Sequence, residues 1–400
     1  MVPRLHSAIL RANASGSIRA PRDPSQERRH TVPHNSGKRA AAEAERAATA
    51  RARRAAEPAG RRRRARLQRG GAWPTMAPAM EFGFSLPGRG PLADPDVVLQ
   101  LATRADALRY SSLFVTDHIV LPASTAGSIY PYSPSGQFPG GGRQDYLEPL
   151  TLLAWLARAT RRVRLGTSVL VIPYRHPLAT AKMLATLDVL SGGRMILGAG
   201  VGWLREEFAA LGAPPFEERG AVTDEYLALI RAAWTTDPVS FTGKYCRVQE
   251  VHVLPKPRQP GGIPIWIGGH SDAALRRAAR LGDGWHPIGL RPPAQLHPEE
   301  YAACVRKLHA WAREAGRDPA TITLTFRAPM EVRSARAKAP GGDRPLFQGT
   351  AAEVLADLRR YQAVGVSHVV FDPVRPDPKA QLATMERFAE EVRPRLARAR

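Results

Sequence analysis

From residue 80 onward the sequence predicts an α/β fold, a (β/α)8 barrel of the TIM type. Three observations predict it. Eight apolar, strand-like segments alternate with segments in which Leu and Ala recur at helical spacing. The central pair of strands is joined by a helix that opens on Pro177 and stops at Gly192-Gly193. The chain has 400 residues, a length that such barrels reach as single domains.

The strand-like segments lie near 81–85, 112–116, 163–170, 194–200, 264–268, 284–288, 322–328 and 368–372. Helical spacing marks 97–108, 149–159, 224–234, 273–281, 301–315 and 351–364 between them. In the central helix, Leu178, Ala181, Leu184, Leu187 and Leu190 recur every three residues and are expected on one core-facing side. Two insertions depart from a minimal barrel, one over 121–144 after the second strand and one over 203–262 between the fourth and fifth. The first is rich in Gly, Pro, Ser and aromatics (Tyr130, Tyr132, Phe138), a composition suited to a lid. In the second, 239–253 alternates like a β-hairpin around Thr242-Gly243-Lys244.

Ahead of the barrel, residues 1–79 carry 18 Lys+Arg against 5 Asp+Glu, thirteen of the chain's net +22 charges. Their Ala, Arg, Ser and Pro cannot bury a core, so a disordered basic N-terminal arm is expected. No aromatic residue precedes Trp73 to give a stacking platform, which argues against nucleic-acid binding. A start of translation at Met76 or Met80 is the favoured reading of this stretch, with an organelle transit peptide as another. A secretory signal is not expected, because no apolar stretch follows the early arginines. Only Cys246 and Cys304 are present, far apart, which predicts neither a disulfide framework nor a metal site and fits a reduced, cytoplasmic protein. No apolar run is long enough to span a bilayer.

Candidate chemistry gathers at the ends of strands, where a barrel places it. Asp117-His118 closes the second strand. Taken alone, His118 reads as a buried, hydrogen-bonding histidine. Gly268-Gly269-His270-Ser271-Asp272 follows the fifth strand, with Ser271 a candidate N-cap, and amides at a helix start attract anions. That segment, with Gly200 and Gly202 on the neighbouring strand, is the candidate phosphate cradle, although a plain strand-turn-helix junction would look similar. A carboxylate at Asp272 would repel phosphate unless it points away. His176 either contacts a cofactor or caps the helix start. Trp203 and Trp266 are either rim or core, and Glu206-Glu207 reads as the solvated first turn of a helix.

Four segments together resemble the luciferase-like monooxygenase superfamily: Phe114 to His118, the Leu165-Gly166-Thr167-Ser168-Val169 strand with the Gly198 to Trp203 glycine run, Pro264 to Gly269, and Gly282 to Trp285. Thr116-Asp117-His118 and Gly166-Thr167-Ser168-Val169 are most similar to the branch that uses the deazaflavin coenzyme F420. The resemblance implies that Asp117 and His118 lie against the cofactor as the catalytic residues, with His118 near the site of hydride transfer. It implies a non-prolyl cis peptide between Ser168 and Val169 beneath the cofactor ring, making Thr167, Ser168 and Val169 cofactor-binding residues, and phosphate near Gly200, Gly202, Gly268, Gly269 and His270. The expected function is hydride transfer between F420 and an organic substrate. FMN is the alternative cofactor, in a two-component monooxygenase fed by a separate flavin reductase, and a non-catalytic flavin-binding barrel is a second alternative. The resemblance also implies a homodimer.

Overall fold

The computed structural model describes residues 80–334 and 344–398; the predicted basic arm, 1–79, lies outside them. Within the unit Ala77–Arg400 the strands are β1 Glu81–Ser85, β2 Ser112–Val115, β3 Arg164–Thr167, β4 Leu170–Val171, β5 Met195–Gly200, β6 Val239–Thr242, β7 Arg247–Val251, β8 Ile265–Gly268, β9 Gly284–His286, β10 Thr323–Arg333, β11 Gln348–Thr350 and β12 His368–Pro373. The helices are α1 Pro95–Ala107, α2 Pro149–Ala159, α3 Pro177–Ser191, α4 Arg205–Ala210, α5 Arg219–Thr235, α6 Asp272–Leu281, α7 Pro298–Glu314, α8 Ala351–Ala363, α9 Pro378–Arg387 and α10 Arg393–Arg398.

The barrel is closed and parallel. Its order runs β1, β2, β3 with its continuation β4, β5, β8, β9, β10, β12, and Glu81 opposite His368 brings β12 back beside β1. The eight predicted strands are the eight barrel strands. The predicted hairpin is β6 and β7, paired antiparallel, and β11 adds a short parallel edge to β10.

Several helix starts have a physical cause in the sequence. Asp94 accepts from the amides of Asp96 and Val97, with Pro95 in the first turn of α1. Glu148 accepts from the Thr151 amide ahead of Pro149, and Thr350 with Glu353 closes a capping box on α8. Gly192, at φ 78°, ends α3 in the left-handed conformation that glycine adopts without strain. The three-residue spacing in α3 did not predict all of its core: Leu190 is 65% exposed. A step of three falls short of the 3.6-residue turn, so a row of leucines drifts round the helix and Leu190 leaves the buried face.

Inside the barrel, Phe114, Ile196, Trp266 and Val370 form a cluster separate from the larger core between strands and helices. Phe114 stacks on Trp266 at 5.6 Å between ring centroids. Glycine supplies the room: a Cβ on Gly166 would stand 2.4 Å from the Phe114 ring, and one on Gly284 2.5 Å from Trp266. Trp266 is thus core. Among the described residues no helix is long and apolar enough to cross a membrane.

Candidate active site

β2 delivers Asp117 and His118 to the mouth of the barrel, both buried. The imidazole of His118 donates from Nδ1 to Glu207 Oε2 at 2.5 Å. Glu207, fully buried in α4, also accepts from the Ile119 amide at 2.7 Å, the Val120 amide at 3.2 Å and the Tyr174 hydroxyl at 3.0 Å. Four donors occupy a carboxylate's acceptor sites, so Glu207 is held as an acceptor and His118 Nδ1 carries the proton. Burial, and then the charge of Glu207, raise the Tyr174 phenol above its ordinary range, which keeps it a donor. Glu207 therefore departs from the solvated first turn that the sequence suggests. The helix dipole argument places it correctly at a helix start, but the tertiary fold turns that start inward.

Asp117 is committed elsewhere. Arg175 donates to both of its oxygens, Nη1 to Oδ2 at 2.8 Å and Nη2 to Oδ1 at 2.9 Å, and the Val171 amide donates to Oδ2 at 2.8 Å. Arg175 Nη2 also reaches Glu148 Oε1 at 2.8 Å. The carboxylate thus ties the end of β2 to β4 and to the start of α2, steadying its neighbour His118. His176 occupies the N-cap position of α3 with no side-chain capping bond, so the expected cap is absent; Pro177 starts this helix instead.

Below the mouth lies a second polar system. Ser168 and Val169 are joined by a cis peptide. Arg327 Nη1 donates to the Ser168 carbonyl at 2.5 Å and to Ser168 Oγ at 2.8 Å. The Ser168 hydroxyl then donates to His286 Nε2 at 2.8 Å. On the other side of that ring, Nδ1 donates to Thr325 Oγ1 at 2.7 Å, whose own proton goes to the Trp285 carbonyl at 2.9 Å. This chain admits one tautomer and a neutral ring. Burial first, then the charges of Arg327 and His368, lower the His286 pKa to about 3. Arg327 is paired with Asp372, Nε to Oδ1 at 2.8 Å. Burial would raise Asp372, but Arg327 and Arg291 overcome it and hold the carboxyl at about 2.

The glycines of the predicted cradle divide by cause. A Cβ on Gly200 would stand 2.2 Å from Val169 Cγ2, and one on Gly268 2.7 Å from Val169 Cγ1. Both leave room for Val169 between β5 and β8. Gly202 is left-handed at φ 84° and faces Phe208 and Val171, and Thr167 is spent on the Gly198 carbonyl at 2.8 Å. Gly269, at φ 89°, has only Ala274 nearby, and the next residue, His270, has a buried Nδ1 with no hydrogen-bond partner. Ser271 caps α6 through the Ala274 amide, and Asp272 is drawn off to Lys307 Nζ at 2.8 Å. Of the predicted cradle, Gly269 and His270 are the two residues that neither close packing nor a hydrogen bond of the His270 ring accounts for.

The first insertion crosses the mouth and packs aromatic rings on His118. Phe138 and Tyr146 each stand 5.1 Å from the imidazole and Trp203 6.0 Å, while Tyr130 touches Phe138 and Trp203. Trp203 is thus a rim aromatic. Neighbouring carboxylates of α4 hold the first part of this lid at two points: Glu207 holds its root at Ile119 and Val120, and Glu206 accepts from the Gly127 amide at 2.9 Å and the Ser128 hydroxyl at 2.6 Å.

Comparison with known proteins agrees with this architecture. An uncharacterised protein of Mycobacterium tuberculosis is 35% identical over 226 residues, 56% of this chain and 75% of its own. An F420-dependent glucose-6-phosphate dehydrogenase of Amycolatopsis mediterranei is 28% identical over 340 residues, covering 76% of this chain and 95% of that one. The crystal structure of monooxygenase RslO1 from Streptomyces bottropensis superposes with a TM-score of 0.64 at 25% identity, over 79% of this chain and 99% of that one. The family model described as luciferase-like monooxygenase matches residues 80–370, from the first strand into the last, and so takes in β2 with His118, the Ser168-Val169 pair and α4. On that match, the chain belongs to the luciferase-like monooxygenase family.

Proposed function

We propose that this chain is an F420-dependent oxidoreductase that moves hydride between the deazaflavin and an organic alcohol or carbonyl substrate. The observation that carries the reading is the His118–Glu207 pair at a barrel strand end, with Nδ1 anchored and no bond to Nε2 among the described residues. The similarity to an F420-dependent dehydrogenase along most of both chains supports the choice of cofactor.

The residues present fit such a group. His270 Nδ1 is buried and unpartnered beside left-handed Gly269 at the start of α6, a place where phosphate oxygens find donors. Ser168 and Val169 would support the ring. Bound there, F420 supplies a carbon that accepts or returns hydride. His118 does the proton work: Nε2 takes the proton from a substrate hydroxyl on oxidation, or returns it to the oxygen on reduction. Glu207 steadies the imidazolium so formed, and the aromatic lid excludes water from the exchange.

The likeness to RslO1 supports a second reading, an FMN-dependent monooxygenase. Fluorescence titration of the full chain with F420 and, separately, FMN decides between them. Selective F420 binding that survives in His118→Ala, with turnover lost, is the expected result. Preference for FMN would move the protein to the monooxygenases, and binding of neither would remove the cofactor assignment.

A further inference from the structure

Arg291 is a cation with more donors than the protein uses. It sits in the loop after β9, where Leu290 at φ 57° and Leu296 at φ 45° are held in the left-handed region that non-glycine residues rarely occupy. Its Nη2 makes one long bond, 3.2 Å, to Asp372 Oδ2. Asp372 is already neutralised by Arg327, whose Nε and Nη2 lie 2.8 and 2.7 Å from Oδ1. Burial raises the Tyr130 phenol above its ordinary range, and the nearby charges of Arg327, Arg89 and Arg291 oppose that rise. Of the three, Arg327 is buried, and Arg89 is bound to the Pro139 carbonyl at 2.7 Å and lies over the Phe138 ring. The Arg291 side chain is 37% exposed.

It borders an open pocket of about 320 Å³ that Tyr132 and Pro134 of the lid also line. Tyr132, Pro329, Pro373 and Val374 line it together with Gln348 of β11, so apolar and polar surface share its walls. Prolines and a tyrosine ring beside one guanidinium and one amide suit a compact organic acid: the body packs on the prolines and the ring, and the carboxylate meets the guanidinium fork. β9 stands opposite β2 in the ring of strands. His118 and Arg291 therefore occupy opposite arcs of one mouth, and the lid reaches both, through Phe138 and Tyr132.

We infer that this cavity is the anion subsite for the substrate, that Arg291 is its specificity-determining residue, and that the substrate is an organic carboxylate. What then happens to the bound acid rests on the oxidoreductase reading; its binding does not. The test is calorimetric titration of the full chain, with and without F420, using 2-naphthoate and its neutral counterpart 2-naphthamide, repeated with Arg291→Gln and Arg291→Lys. The acid should bind about tenfold more tightly than the amide. Arg291→Gln should erase that ratio and leave naphthamide and F420 affinities as they were, while Arg291→Lys keeps part of the preference. Equal binding of acid and amide by the wild type, or a ratio that survives in Arg291→Gln, would overturn the inference. So would an Arg291→Gln variant with weakened F420 binding, because the anion would then be the cofactor's. A naphthoate preference in a protein that binds no F420 would sink the F420-dependent reading and leave the acid site standing.

Discussion

Two buried histidines follow opposite strands of this barrel, and what each is bonded to separates the proposed proton-transfer group from a strut. His118 lies just beyond β2 and His286 ends β9, on opposite sides of the ring, and both are buried, at 6% and 1% exposure. His286 has a hydroxyl on each nitrogen and no capacity left. His118 has a carboxylate on Nδ1 and, among the described residues, no partner on Nε2. Burial alone does not mark a catalytic imidazole. An anionic anchor on one nitrogen with vacancy at the other is what the role proposed for His118 requires, and the opposite ring lacks both.

The sharpest way to break that contrast is His118→Ala. With the first alcohol or ketone that supports F420 turnover by the wild type, the variant should lose about 10²- to 10⁴-fold in rate, the span of a general acid–base group. Turnover close to wild type would move the proton chemistry to another residue.

His286 should reveal itself through stability instead. Its folded pKa is about 3, against about 6.5 for an unfolded histidine. Between those values the unfolded chain binds a proton that the folded chain refuses, so stability falls as pH drops through this window, by about 1.4 kcal/mol per pH unit from this residue. Urea unfolding at pH 6.5 and 4.5 should show a shallower loss in His286→Gln, though not a flat one, since burial also lowers His368. An acid slope identical to wild type would remove His286 from the account.

The smallest expected effect belongs to Glu207→Gln. The amide carbonyl can still accept from Nδ1, but its NH2 group then meets the Ile119 and Val120 amides, donor against donor. Turnover should fall about tenfold, with a redistribution of the His118 tautomers visible in its nitrogen chemical shifts. Unaltered shifts would show that the carboxylate does not choose the tautomer.

The sequence made the barrel legible because its evidence is local. Apolar runs, Pro95, Pro149 and Pro177 at helix starts, and Gly192 at a helix end each state their structure within a few residues. The site was legible only where it coincides with strand ends, as at His118 and Ser168. Glu207 was not, since its partner His118 lies 89 residues away and a glutamate in a first turn is ordinarily solvated. Nor was the purpose of Gly200 and Gly268, whose missing side chains answer Val169 on another strand. Arg291, one arginine among many, carried no local signal; the positive φ of Leu290 that presents it has no signature in a leucine.

Glu206 and Glu207, side by side in α4, grip two points of the same lid, and the distance in sequence between Gly127 and Glu206 is 79 residues. For protein engineering this makes the lid a poor unit of exchange on its own. A foreign segment grafted over 121–144 inherits a clasp cut for someone else's backbone, and the misfit is passed directly to His118 through the adjoining carboxylate. The portable cassette is the lid together with residues 205–207, and substrate range in such barrels should shift most cleanly when both pieces travel as a pair.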